Sequence, residues 1–119
     1  LIAGTIPSIT VTNPRSNTVW YHENTYNITW ESEAVGPYLV IALFDQHRRF
    51  IRRLFAPVFN DGTKPWKVPK DIPPGTYIID IRAEGGSGPH GNPIWDQSEP
   101  FKIARVLIKK RPDLKKIDR

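Results

Sequence analysis

A chain of 119 residues, 39% hydrophobic and 24% charged, has the size and composition of one globular domain. It contains no cysteine, which excludes disulfides, thiolate nucleophiles and cysteine-ligated zinc or iron–sulfur centres. The net charge of +5 is concentrated at one end: residues 1–104 carry ten Lys/Arg against ten Asp/Glu, and residues 105–119 carry seven against two.

A nucleic-acid-binding surface usually distributes its basic residues over the fold, so a neutral body with a basic end gives no expectation of a nucleic-acid partner. The charge distribution divides the chain into a body, residues 1–104, and a basic extension, residues 105–119. Leu39–Phe44, the longest apolar run, is too short to cross a membrane, and no transmembrane segment is expected. Leu1-Ile2-Ala3-Gly4 lacks the charged start and apolar stretch of a signal peptide, and the lack of an initiator methionine favours a trimmed chain.

Twelve prolines and eight glycines cut the body into short segments. Ser8–Thr12 alternates apolar and polar residues, the signature of a half-buried strand, and Asn13–Asn17 is a turn. Thr18-Val19-Trp20 is a short extended piece, followed by the polar loop His22-Glu23-Asn24. From Thr25 to Glu31 the alternation places Tyr26, Ile28 and Trp30 on one face and Asn27, Thr29 and Glu31 on the other. Gly36-Pro37 then precedes Tyr38–Phe44, a continuous apolar strand expected near a sheet centre.

Gln46–Arg49 turns the chain into Phe50–Phe55, and Asn60-Asp61-Gly62 turns it again. Pro65–Pro69 is a short strand near an edge because of its prolines. After Pro73-Pro74-Gly75, Tyr77, Ile79 and Ile81 face one way and Asp80 and Arg82 the other. Glu84–Asn92 is a glycine-rich loop, and Pro100–Ile103 begins the last strand. About seven short strands at roughly ten-residue spacing give the pattern of an all-β sandwich.

Several residues carry candidate chemistry. Trp20, Tyr21, Trp66 and Trp95 are possible stacking faces for a sugar ring, with core filling as the competing reading for Trp20 and Trp66. Trp95, together with His90 and Asn92 of the preceding glycine-rich loop, stands where sandwiches display binding residues, with an indole that plugs the loop back onto the core as the competing and slightly favoured reading. Asn27-Ile28-Thr29 is an N-glycosylation sequon on the face opposite the core register. Arg48, Arg49, Arg52 and Arg53 form a basic hairpin, readable as a protected edge strand, a bulge, an ion-paired segment or an anionic-ligand patch. Lys109, Lys110 and Arg111 supply a second basic cluster in the extension.

Other chemistry has little support. His22, His47 and His90 stand in separate loops without metal-ligand spacing, so no metal and no cofactor is expected. Gly85-Gly86-Ser87-Gly88 does not lead from a strand into a helix and fails as a phosphate-binding loop. Nothing marks Asp45 and Asp80 as a glycosidase pair, although they could meet across a sheet, and no serine lies in a nucleophile elbow.

The motifs ITVTNPRSNTVW, TYNITWES, WKVPKDIPPGTYIIDI and SEPFKI, in that order, resemble the Kre9/Knh1-like domain of secreted fungal cell-wall proteins, over about residues 8–104. The resemblance implies an immunoglobulin-like (fibronectin III-like) sandwich of about seven antiparallel strands, which agrees with the strand pattern. It also implies a non-enzymatic module at the cell wall or surface that binds wall β-glucan or assists its assembly. The alternative is a protein–protein adhesion module working through sheet edges and the arginine hairpin. Residues 99–119 contain no serine or threonine, so the glycosylated stalk usual in that family has no counterpart there. Its basic end likewise does not fit a lipid-anchor signal.

Overall fold

A computed structural model describes residues 6–84 and 93–106. Nine strands run in chain order as β1 (Ser8–Asn13), β2 (Val19–Tyr21), β3 (Thr25–Glu33), β4 (Tyr38–Asp45), β5 (Phe50–Phe59), β6 (Thr63–Lys67), β7 (Gly75–Ala83), β8 (Trp95–Gln97) and β9 (Phe101–Ala104). The smaller sheet has the order β1-β3-β6, and the larger has β2-β9-β7-β4-β5, with β8 also pairing β7. The fold is therefore an immunoglobulin-like β-sandwich, and no helix occurs among the described residues. Two three-residue strands, β2 and β8, lie beyond the seven-strand expectation, and β2 joins β9 in parallel.

Alternation builds the core. Ile28 and Trp30 of β3, Leu39, Ile41 and Leu43 of β4, and Ile79 and Ile81 of β7 all turn inward and are buried. Each such side chain contributes about 1.5–3 kcal/mol by leaving water. Trp20 lies among them at 3% exposure. It stacks on Tyr26 at 5.2 Å and meets Trp66 and Phe101 edge-on at 6.0 and 5.0 Å. These are the offset and edge-to-face arrangements that aromatic quadrupoles prefer. Trp66 is likewise core.

At the entry to β7, the Tyr77 hydroxyl donates to the Pro73 carbonyl at 2.6 Å. This is the tyrosine corner of immunoglobulin-like sandwiches, and it fixes the turn that Pro73-Pro74-Gly75 begins. Burial, and then the nearby Asp45 carboxylate, push the phenol above its ordinary pKa, while Arg52 opposes them. The hydroxyl therefore stays protonated as a donor.

β5 is an edge strand whose pairing with β4 carries three register shifts. Arg52 and Arg53 lie in the regular stretch between these shifts, opposite Leu43 and Ala42, and so point to opposite faces. Arg52 forms a fork with the Asp71 carboxylate at 3.3 and 3.2 Å, and Arg53 is exposed.

Asp80 lies on the outward face of β7, opposite Ile79 and Ile81, yet it is only 1% exposed. Its strand is flanked on both sides, with Ala42 of β4 as one cross-strand neighbour and Gln97 of β8 as the other. Burial on that face follows from the short strand β8.

Candidate functional site

β7 and β8 pair antiparallel, with Asp80 opposite Gln97 and Arg82 opposite Trp95. Residues two apart on a strand share a face, so the four side chains form one square on the outer surface of the larger sheet. Arg82 Nε and Nη2 donate to Asp80 Oδ1 and Oδ2 at 2.8 and 3.1 Å. Gln97 Nε2 donates a third bond to Asp80 Oδ2 at 2.9 Å. Arg48, from the turn between β4 and β5, donates to Gln97 Oε1. A buried carboxylate needs such partners, because an unpaired charge there would be expensive.

The square ends on an aromatic plate. The Arg82 guanidinium lies 5.0 Å from the Trp95 ring centroid, a cation–π contact on one face of the indole. Trp95 nevertheless remains 49% exposed. The bidentate Asp80 carboxylate fixes the plane of Arg82, and Arg82 in turn supports the indole from behind. The arrangement is a pre-oriented apolar surface open to solvent on its outer side.

Where β8 meets the free edge of β1 there is a cleft of about 270 Å³. Val11 N–H donates to Asp96 Oδ2 at 2.9 Å, and Ser16 N–H donates to Glu99 Oε1 at 2.8 Å. Gln97 lines the cleft as well as belonging to the square.

The hairpin arginines are divided among different acceptors and do not form one patch. Arg48 joins the square, Arg49 pairs with Asp45 at 3.3 Å, and Arg52 pairs with Asp71. The backbone N–H of Arg49 does most to hold the Asp45 carboxyl below its ordinary pKa; desolvation opposes it, and the His47 N–H and the Arg49 guanidinium add to it. Asp45 and Asp80 do not pair: Asp45 stands opposite Tyr77, Asp80 stands opposite Ala42, and each has its own arginine. His22 is buried, and its Nε2–H donates to the Ile72 carbonyl at 2.6 Å, while His47 is exposed in the β4–β5 turn. Among the described residues, no group of three or more His, Asp or Glu is placed to hold a metal.

A profile of the Kre9/KNH-like N-terminal Ig-like domain matches residues 13–103. The chain belongs to that family. As a Kre9/KNH-like domain, it is a cell-wall-related module in the coarse sense that the family carries. Comparison with curated proteins gives no match. Among solved structures, the fibronectin(III)-like modules of Clostridium thermocellum CbhA superpose with a TM-score of 0.53 at 13% identity, covering 83% of this chain and 99% of that one. CopC from Methylosinus trichosporium OB3b gives a TM-score of 0.50 at 12% identity, covering 86% and 99%. At these identities the two likenesses show the shared fold.

The Kre9/KNH-like motifs map mainly onto the scaffold. The Thr-Val-Trp run delivers Trp20 to the core, so its ring has no free face for a ligand. Tyr21, its neighbour, is 39% exposed. It lies beyond the Gly75 end of β7 while Trp95 lies opposite Arg82, a separation of roughly 25 Å along the strands. Tyr21 and Trp95 therefore do not form one platform. Asn27 is exposed on the outward face of β3, the middle strand of the smaller sheet. His90, Asn92, Lys109, Lys110 and Arg111 lie outside the described residues.

Trp95 is legible in the sequence; its supports are not. Asp80-x-Arg82 and Trp95-x-Gln97 each have the two-residue spacing that marks one strand face. Only the pairing of β7 with β8 brings the two faces together.

Proposed function

We propose that this domain is a non-catalytic, secreted wall module that binds β-glucan through Trp95. The carrying observation is the half-exposed indole, backed by an Arg82 guanidinium that Asp80, itself held by Gln97, keeps in plane. A β-linked glucose unit carries its hydroxyls around the ring equator and presents C–H groups above and below. Such a face stacks on an indole, and a pre-fixed indole loses little conformational freedom on binding. Asn27, solvent-facing on its strand, takes an N-glycan in a secretory route. The non-catalytic reading is supported by the pairing of Asp45 and Asp80 with separate arginines, since neither stands free as an acid or nucleophile. Retention on insoluble β-glucan and on chitin, compared between the natural chain and Trp95→Ala, tests the proposal. Absence of retention on any wall polymer refutes it.

A second reading rests on a different surface. Edge strand β5 exposes Phe50 at 58%, Ile51 at 41% and Phe59 at 58%, with Arg53 beside them. An adhesion module contacting a surface protein would use that edge. In that case Phe50→Ser and Phe59→Ser abolish cell-surface binding while Trp95→Ala leaves it intact.

A further inference from the structure

The cleft between β1 and β8 has chemistry that the stacking plate alone does not use. Its lining combines the hydroxyl-bearing Thr10 and Thr12 with Arg15, Asp96, Gln97 and Glu99. Each carboxylate is held through one oxygen by a backbone N–H, Asp96 by Val11 and Glu99 by Ser16. Among the described residues, Asp96 Oδ1 and Glu99 Oε2 have no protein donor. Arg15 donates through Nε to the Thr12 carbonyl at 3.1 Å, which positions its guanidinium and leaves the two terminal nitrogens available. The cleft thus offers fixed acceptors and fixed donors together.

That mixture selects among ligand classes. One positive side chain against two negative ones disfavours an anion. A single metal ion would need its ligands to converge on one point, and no such group of three exists among the described residues. The two carboxylates are instead tied to backbone positions five residues apart, Val11 and Ser16, so a ligand must present hydrogen-bonding groups at several places. Hydroxyl groups both donate and accept, and a neutral ring bearing several of them fits both carboxylates and Arg15. A volume of about 270 Å³ is below the usual range for drug-sized ligands and suits one small ring. Gln97 connects this cleft to the plate, because it lines the one and braces the other.

We infer that the cleft is a second sugar subsite, which takes one neutral hexose unit by its hydroxyls while the neighbouring unit stacks on Trp95. This inference rests on the reading of Trp95 as a sugar-stacking face. Asp96 and Glu99 accept hydroxyl hydrogens, and Arg15 donates to ring or hydroxyl oxygens. The plate then supplies apolar contact, and the cleft supplies orientation along the strand direction of β8.

The two backbone amides held by the carboxylates report on the cleft directly. A soluble β-gluco-oligosaccharide ladder, from the disaccharide upward, is titrated into the isotopically labelled chain, with amide and indole N–H shifts recorded. The inference expects Val11 and Ser16 amides to move in the same titration as the Trp95 indole. Glu99→Gln keeps an acceptor for Ser16 N–H and removes the charge, and Arg15→Ala removes the donor. Each weakens oligosaccharide binding about fivefold to tenfold with unchanged thermal stability. Movement of the Trp95 indole with still Val11 and Ser16 amides, and natural affinity in both variants, overturns the subsite but keeps the plate. No movement at any of the three overturns both. Movement of Val11 and Ser16 with calcium or a lysine-rich peptide, but not with the ladder, overturns the sugar assignment.

Discussion

Replacing Asp80 by asparagine tests whether the Trp95 plate is braced as its geometry implies. The carboxylate accepts three hydrogen bonds, two from Arg82 and one from Gln97, through both oxygens. A carboxamide has the same shape but only one acceptor. Whichever way it is turned, its NH₂ meets Arg82 Nε on one side, or Arg82 Nη2 and Gln97 Nε2 on the other. At least one donor–donor contact results. Breaking a fully buried ion pair typically costs 3–5 kcal/mol. The Arg82 side chain is 41% exposed, so water recovers part of its loss and the figure must be discounted.

About 2 kcal/mol of destabilisation is the expected outcome, which lowers the melting temperature of a domain this size by roughly 8 °C. Urea unfolding should show a lower midpoint and an unchanged slope. In a double-mutant cycle with Arg82→Ala, the coupling should reach at least about 1 kcal/mol. Asp80→Asn should also free Arg82 and shift the Trp95 indole resonance. A stability change within about 0.5 kcal/mol and an unmoved indole resonance would refute the bracing argument.

Three further outcomes follow from the same contacts. Trp20→Ala removes a ring packed on Tyr26, Trp66 and Phe101 and should cost about 3–5 kcal/mol, read by denaturant unfolding; a neutral result would contradict its core placement. Tyr77→Phe leaves the Pro73 carbonyl without its donor and should cost about 1–3 kcal/mol by calorimetry, without changing the fold seen by circular dichroism. Asp45 has a depressed folded-state pKa, so its contribution is present above its unfolded value of 3.8 and is lost as pH falls through the lower folded value. Asp45→Asn should therefore be slightly less stable than the natural chain at neutral pH and converge with it in strong acid, while a difference that widens in acid would reverse the assigned sign.

Much of the scaffold could be read from alternation and punctuation. Tyr26-x-Ile28-x-Trp30 and Tyr77-x-Ile79-x-Ile81 declare their buried faces because a side-chain period of two leaves little choice of register. Pro73-Pro74-Gly75 announced a turn before β7, although the Tyr77 corner bond it carries was not foreseen. The three-residue strands β2 and β8 were missed as sheet members because a run that short has no periodicity to detect. Missing β8 hid the brace. Asp80 could be placed away from the core, but its burial depends on Gln97 arriving from a segment seventeen residues later. The cleft is similarly non-local, since Val11 and Asp96 are eighty-five residues apart. Arg48, Arg49, Arg52 and Arg53 look like one basic cluster in sequence, whereas Arg48, Arg49 and Arg52 pair with Gln97, Asp45 and Asp71 and Arg53 is exposed on the other face of β5.

The central claim is that Trp95 contributes binding energy to a wall glucan without contributing to the fold. The most direct measurement is a depletion isotherm on insoluble β-glucan for the natural chain and for Trp95→Ala, with matched unfolding curves for both. The account predicts saturable binding by the natural chain and at least about a tenfold loss of affinity in the variant, with stability changed by less than about 1 kcal/mol. Superimposable isotherms, or no binding by the natural chain, would contradict it.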